Sequence, residues 1–333
     1  MRSFTSIFTP DLTCMNAFFT CLARLAGIGC LSLALVGCGP QEVPNLQGKT
    51  MGTTWSLQAV GADEALRVLI QTHLDQREAV FSHWKADSPL SRFNASTSTN
   101  WVPVPLELVR IIEVAHEVAR ETEGALDVTL GPQVEAWGFG GKPEQADKPG
   151  LEHVGWRHLA WREAPPALKK DAPEVRLNVA AVAEGFLLDE LVARLRAEGL
   201  QNFLLELGGE VFASGHAPDG GPWRVGLQSP DGIPGNTLER LPLTDACIST
   251  SGSYRHRYEK EGHTYSHIID PRTGRPITHR LVSVTVIHPR AVLADGYATA
   301  LMVLGPEKGR EVAQRLGLRV IWLEESSDSP SGP

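Results

Sequence analysis

Val282-Ser-Val-Thr-Val-Ile287 is rich in β-branched residues and reads as a strand. Three residues later, Ala291-Val-Leu-Ala-Asp295-Gly-Tyr-Ala-Thr299-Ala-Leu-Met-Val-Leu304 is apolar nearly all round and reads as a buried helix. Residues 318–323 beyond it are a further strand candidate, as are 203–207, 223–228 and 264–269 before it. Their spacing is hairpin-like. Strands and helices interleave irregularly, which predicts an α+β fold, mainly antiparallel sheets with helices packed on them. In the first half, residues 54–60 read as a strand. Asp63 is placed to cap a helix whose inner face carries Leu66, Leu69, Ile70 and Leu74. A second helix follows Pro105, with Val109, Ile112, His116 and Ala119 at helical spacing and Gly124 as its stop. Residues 184–199 form the clearest amphipathic helix, burying Leu188, Leu191, Val192 and Leu195. Residues 88–100 and 137–150 read as loops, and 165–173 as a polar insertion.

The buried helix 291–304 carries the first chemical signal. Asp295 and Thr299 are four residues apart and share one face. A buried carboxylate needs a compensating partner. That partner is either backbone or Arg donors, or a hard cation held by carboxylate and hydroxyl oxygens, such as Mg²⁺ with phosphate oxygens completing its shell. Asn178-Val-Ala-Ala-Val-Ala-Glu-Gly185 runs small residues into the clearest helix, where free N–H groups suit a phosphate. A tight strand-to-helix junction would have the same look. Glu206-Leu-Gly-Gly-Glu210 ends a strand in two glycines, which permits close approach of a ligand. Ser249-Thr-Ser-Gly-Ser-Tyr254 reads as an anion cradle or a polar turn. In Ser266-His267-Ile-Ile-Asp270-Pro-Arg-Thr-Gly274, His267 and Asp270 stand near a strand end. His263 and His267 lack a third zinc ligand, and there is neither a Rossmann fingerprint nor a P-loop.

Composition narrows the partners. Across 333 residues, 42% are hydrophobic, 21% are charged and the net charge is -8. The acidic balance and the absence of a basic block argue against nucleic acid as the main partner. At the N-terminus an apolar run over 25–36 follows Arg24, too short to span a bilayer as a helix but suited to a signal-peptide core. It ends in Leu35-Val36-Gly37-Cys38, which resembles a bacterial lipoprotein processing site, with Cys38 as the lipidated residue. This predicts a leader over 1–37, a polar tether over 38–49, a globular domain over 50–324 and a disordered tail over 325–333. Of the five cysteines, Cys14, Cys21 and Cys30 leave with the leader. Cys247 then remains as the single free thiol, so no intramolecular disulfide forms. The expected location is a lipid-anchored state on the periplasmic side of a bacterial inner membrane.

In order, the chain reads Met51-Gly-Thr53, Gly124-Ala-Leu-Asp127-Val128, Trp137-Gly-Phe139, Ala183-Glu-Gly-Phe186, Glu206-Leu-Gly-Gly209, Ser249-Thr-Ser-Gly-Ser-Tyr254, Ser266-His-Ile-Ile-Asp-Pro-Arg-Thr-Gly-Arg-Pro276 and Leu293-Ala-Asp-Gly-Tyr-Ala-Thr-Ala-Leu301. The series resembles the ApbE family of FAD:protein FMN transferases over nearly all of 51–323. The resemblance implies a T-fold-like architecture and one FAD in a cleft. It implies Met51 and Trp84 against the flavin, and Ala125, Leu126, Asp127, Asn178, Glu184 and Ile269 around the FAD. It further implies Mg²⁺ on Asp295, Thr299 and the backbone carbonyl of Ala181. The family usually has an aromatic, often Tyr, where Trp84 stands, and Asp where Asn178 stands. Asn keeps an acceptor oxygen and loses the charge.

The reaction so implied is phosphoryl transfer, in which a Thr or Ser hydroxyl of a target protein attacks the riboflavin-side phosphorus of FAD and AMP leaves. His267 is the candidate base. Hydrolysis of FAD to FMN and AMP, or flavin binding without catalysis, would use the same pocket. The expected acceptors are subunits of membrane redox complexes.

Overall fold

The computed structural model describes residues 43–139, 147–230, 236–254, 257–260 and 263–325. The expected leader, Cys38 and the tail beyond 325 lie outside them. Along the described unit the elements run β1 (Asn45–Thr50), β2 (Thr53–Ala59), α1 (Glu64–Phe81), α2 (Pro89–Ala95), β3 (Val102–Pro103), α3 (Leu106–Glu121) and α4 (Gly131–Ala136). Next come β4 (Leu159–Glu163), β5 (Pro166–Lys170), α5 (Ala180–Ala197), β6 (Phe203–Leu207), β7 (Glu210–Ser214), β8 (Trp223–Gln228), β9 (Thr237–Leu243) and β10 (Ala246–Gly252). The chain closes with β11 (Arg257–Lys260), β12 (His263–Ser266), β13 (Ile269–Asp270), β14 (Arg275–Pro276), β15 (Leu281–His288), α6 (Ala291–Leu316) and β16 (Arg319–Glu324). No described helix is long and apolar enough to cross a membrane.

The scaffold is a seven-stranded sheet in the order β1-β2-β6-β7-β10-β15-β16. Every neighbouring pair in it is antiparallel. Alternation along the central strands feeds two cores. Phe212, Cys247 and Val286 face the large core under α5 and α6, whereas Ala213, Ile248 and Ile287 face a smaller one under the β8–β9 ribbon. Both faces of the sheet centre are thus covered. Cys247 is fully buried in β10. Burial first, and the nearby Glu210, Asp189 and Asp295 carboxylates next, push its thiol pKa well above the ordinary value.

Local chemistry accounts for the element boundaries. Asp63 accepts from the N–H of Leu66 at 3.0 Å and starts α1 as expected. Met51 (φ 44°) and Gly52 (φ 78°) turn β1 into β2. The buried His116 of α3 lies edge-on to Trp156 and Trp161, with ring centroids 5.4 and 4.5 Å away. Neither of its nitrogens has a hydrogen-bond partner, and burial lowers its pKa to about 4, so it packs as a neutral ring.

Several expectations are corrected. The stretch read as the end of a tether is strand β1, whose alternating residues pair with β2. Residues 88–100 contain α2, capped by the Ser88 hydroxyl, and 165–173 contain β5. The helix read as 184–199 begins at Ala180, because alanines propagate a helix as well as the leucines behind them. Its last residue is Ala197, and Gly199 takes φ 91° just beyond. Ser249–Gly252 belongs to β10 and is not a turn. The helix read as 291–304 continues to Leu316 across a break at Gly305 (φ 79°). His267 and Ile268 interrupt the expected strand over 264–269, leaving β12 and β13.

Candidate active site

α5, α6 and the ends of β10 and β13 surround a cleft of about 290 Å³. Ala125, Leu126, Asp127 and Asn178 line one side. Ala181 and Glu184 of α5 line the next, with Asp295 and Thr299 of α6, and His267 and Ile269 complete it. Met51 and Trp84 flank an adjoining cavity of about 460 Å³, which shares Ala180 and Glu184 with the cleft. Trp84 is 65% exposed, with its indole against His83 at 4.9 Å between ring centroids. Two joined compartments, one with an exposed aromatic plane, suit an elongated ligand with an aromatic end.

The Asp127 carboxylate is fully engaged in building the wall. Its Oδ1 accepts from the Thr129 amide (2.8 Å) and hydroxyl (2.6 Å), and its Oδ2 from the Trp156 amide (2.7 Å). Burial raises its pKa, and these donors oppose the rise. Asp127 therefore shapes the pocket through the loop it braces. Asn178 receives the Ala180 N–H on its Oδ1 at 2.9 Å and sits just before the first turn of α5. With Ala180 and Ala181, it brings the helix N-terminus to the cleft.

Asp295 is 6% exposed and accepts the Gly185 N–H on Oδ2 at 3.0 Å. One turn on, the Thr299 hydroxyl lies 3.0 Å from that of Ser251 in β10. Among the described residues, no three His, Cys, Asp or Glu side chains converge as a cation site. The side-chain groups that line the cleft around Asp295 and Thr299 are mainly oxygen ligands, the carboxylates of Glu184 and Glu210 and the hydroxyls of Thr250 and Ser251, and Ala181 lines the same cleft. Such a hard, oxygen-bearing set fits Mg²⁺, which takes ligand oxygens and water for the rest of its shell.

His267 is half-buried beside Phe139, with ring centroids 6.3 Å apart. The turn after it is rigid. Asp270 accepts from the Arg272 amide and pairs with its guanidinium at 2.9 and 2.7 Å, and Gly274 N–H closes on the Asp270 carbonyl at 2.8 Å. Trp137 Nε1 holds the Gly274 carbonyl at 2.7 Å. Asp270, three residues after His267, is thus a turn former.

Three polar cleft residues were not singled out individually from the sequence. Glu210 is 7% exposed and takes the Ser249 hydroxyl on Oε1 at 3.3 Å. Thr250 and Ser251 also line the cleft. Gly208 (φ 65°) explains the glycine pair: a Cβ there would lie 2.9 Å from Glu184 Cγ and 3.3 Å from Glu210 Oε2. The signal was the Gly-Gly-Glu step itself, which is uninformative until the facing helix is known.

The sequence model of the ApbE family matches residues 51–322. An FAD:protein FMN transferase of Escherichia coli K12 is 39% identical over 337 residues, covering 95% of each chain. The structure of the flavin transferase ApbE from Vibrio cholerae superposes with a TM-score of 0.79 at 36% identity, over 87% of this chain and 96% of that one. The Pseudomonas stutzeri flavinyl transferase ApbE in its apo form gives a TM-score of 0.78 at 32% identity, over 86% and 92%.

Proposed function

The chain belongs to the ApbE family and is an FAD:protein FMN transferase, and from that premise we propose a Mg²⁺-dependent transfer onto a Thr or Ser hydroxyl, with AMP released. The observation that carries this reading is that Asp295, Thr299, Glu184 and His267 line one cleft beneath the start of α5. The T-fold-like character is part of the same proposal, supported by the antiparallel sheet with helices on its face.

Met51 and Trp84 hold the flavin end, and Ala125, Leu126, Asp127, Asn178 and Ile269 enclose the remainder of FAD. The α5 N-terminus presents amide hydrogens and a positive dipole end to the diphosphate. Asp295, Thr299 and the carbonyl of Ala181 would hold Mg²⁺, which supplies neutralisation of charge on the diphosphate when bound. His267 accepts the proton of the attacking hydroxyl. Its place in the cleft, just before a braced turn, supports that role, because general bases act through placement first. Incubation of the protein with FAD, Mg²⁺ and a flavin-acceptor domain tests the reading: covalent flavin on the acceptor is expected. Free FMN alone would make it a hydrolase, and unchanged FAD a binder.

Asn178 stands where the family usually has Asp. With its Oδ1 committed to the Ala180 amide, Asn178→Asp adds a second acceptor oxygen and a charge at the helix N-terminus. FAD binding is expected to persist, and the transfer rate to be preserved or raised by no more than about tenfold. Single-turnover flavinylation measures it, and collapse of both binding and rate would reject this placement.

We also propose that the protein works on the periplasmic side of the inner membrane, tethered through lipid on Cys38, near redox-complex subunits that carry its acceptor hydroxyl. The apolar run ending in Leu35-Val36-Gly37-Cys38 supports this. Cys38→Ala is expected to leave a folded transferase that no longer fractionates with membranes. Fatty-acid labelling that persists in the variant would sink the assignment.

A further inference from the structure

No side chain of its own segment caps α6: Arg290 precedes it without a side-chain hydrogen bond to the first turn. The donors of that turn find their acceptor on another helix. Asp189 of α5 accepts the Ala291 N–H on Oδ1 at 2.7 Å and the Val292 N–H on Oδ2 at 3.1 Å. One turn earlier on α5, the Gly185 N–H goes the opposite way, to Asp295 Oδ2 at 3.0 Å. Each helix therefore gives a donor and an acceptor to the other, four residues apart on α5 and three to four on α6. The backbones nearly touch between these points. A Cβ on Gly185 would lie 2.5 Å from the Ala291 carbonyl oxygen and 2.7 Å from Asp295 Cβ.

We propose that Asp189, which lies outside the cleft, is a positioning residue for the cation site: by gripping the first amides of α6 it sets where Asp295 and Thr299 stand over α5. The proposal rests on the cation reading above. A carboxylate at a helix N-terminus is favourable in itself, through hydrogen bonds and the helix dipole. A cap alone would only stabilise the fold. Here the capped turn is the one that leads into Asp295. Loosening it lets α6 slide on α5, and the carboxylate and hydroxyl then leave their common focus on the Ala181 side of the cleft.

The test uses the full chain with FAD bound, titrated with Mg²⁺ by calorimetry, for wild type, Asp189→Ala and Asp189→Asn. Residues that orient a metal ligand typically change metal affinity by about 10-fold to 100-fold when removed. Asp189→Ala is expected to weaken Mg²⁺ binding by about tenfold or more, with FAD affinity in the absence of Mg²⁺ unchanged. Flavinylation should recover at high Mg²⁺. Asp189→Asn keeps one acceptor for the Ala291 amide and is expected to fall between, and it decides the matter if the alanine variant does not fold. Variants that bind FAD and titrate Mg²⁺ as wild type does, whatever their melting temperature, overturn the proposal and leave the cation reading intact. A wild-type chain that takes up no Mg²⁺ overturns both, and that outcome is read before any variant is made.

Discussion

Asp295→Ala is expected to reduce FMN transfer by on the order of 10³-fold or more at ordinary Mg²⁺, while the protein still folds and still binds FAD. The side chain is 6% exposed in an otherwise apolar part of α6. A carboxylate in that setting must be balanced by donors or a cation. The Gly185 amide is one such donor, and a hard cation would be the stronger one. Alanine would remove the main protein charge from such a cation, yet leave the adjoining cavity at Met51 and Trp84 untouched. Asp295→Asn separates the two possible duties. It retains an acceptor for Gly185, so a purely structural Asp295 would make it nearly silent. A cation ligand would make it almost as damaging as alanine, with the Mg²⁺ requirement displaced to higher concentration. Thr299→Ala should be milder, since water can replace a neutral hydroxyl. The decisive measurement is the Mg²⁺ dependence of acceptor flavinylation for all four proteins, and a wild-type rate indifferent to EDTA would end the assignment.

Loss of the imidazole is the second large effect. His267→Ala is expected to slow transfer by about 10²-fold to 10⁴-fold, the usual range for removing a positioned base, with FAD and Mg²⁺ affinities within about twofold of wild type, since a uniform binding loss is not expected. The ring lies edge-on to Phe139, and the Asp270–Gly274 turn that follows is braced by bonds that do not involve it, so deleting the imidazole leaves that turn standing. One readout separates a base from a packing residue: added imidazole should restore part of the rate. His267→Phe fills the space without a proton acceptor and should be as slow as alanine. A variant that transfers flavin at the wild-type rate would move the base elsewhere in the cleft.

How much of this was readable from residues alone depends on what each residue faces. The strands Phe203–Leu207 and Trp223–Gln228 stand where their apolar runs placed them, because both bury alternate side chains in a core. β10 was missed because its second half, Ser249–Gly252, spends its polar side chains on the cleft and on Glu210, Thr285 and Thr299, which imitates a turn. β1 was missed for a related reason: as an edge strand it buries little, and its polar sequence looks like linker. The residues of the candidate cleft were more legible than the element boundaries. Asp295 and Thr299 announced themselves as polar groups on an apolar helix. Ala125, Leu126 and Asp127 carried no such contrast and were reachable only through family resemblance. Asp189 was invisible, since its partners are backbone amides about one hundred residues away, and a sequence does not show where a helix start will be received.

The buried thiol in the sheet centre carries a consequence of another kind. Cys247 is wholly covered and its pKa is pushed up by burial and neighbouring carboxylates, so in the native state it is neither thiolate nor reachable. An alkylating reagent can meet it only when β10 parts from β7 and β15, its partners on either side. Labelling at this one atom therefore clocks the opening of the central sheet, and its rate against reagent concentration converts into the free energy of that opening. The protein brings its own hydrogen-exchange-like probe, placed where local fraying of termini or loops does not register.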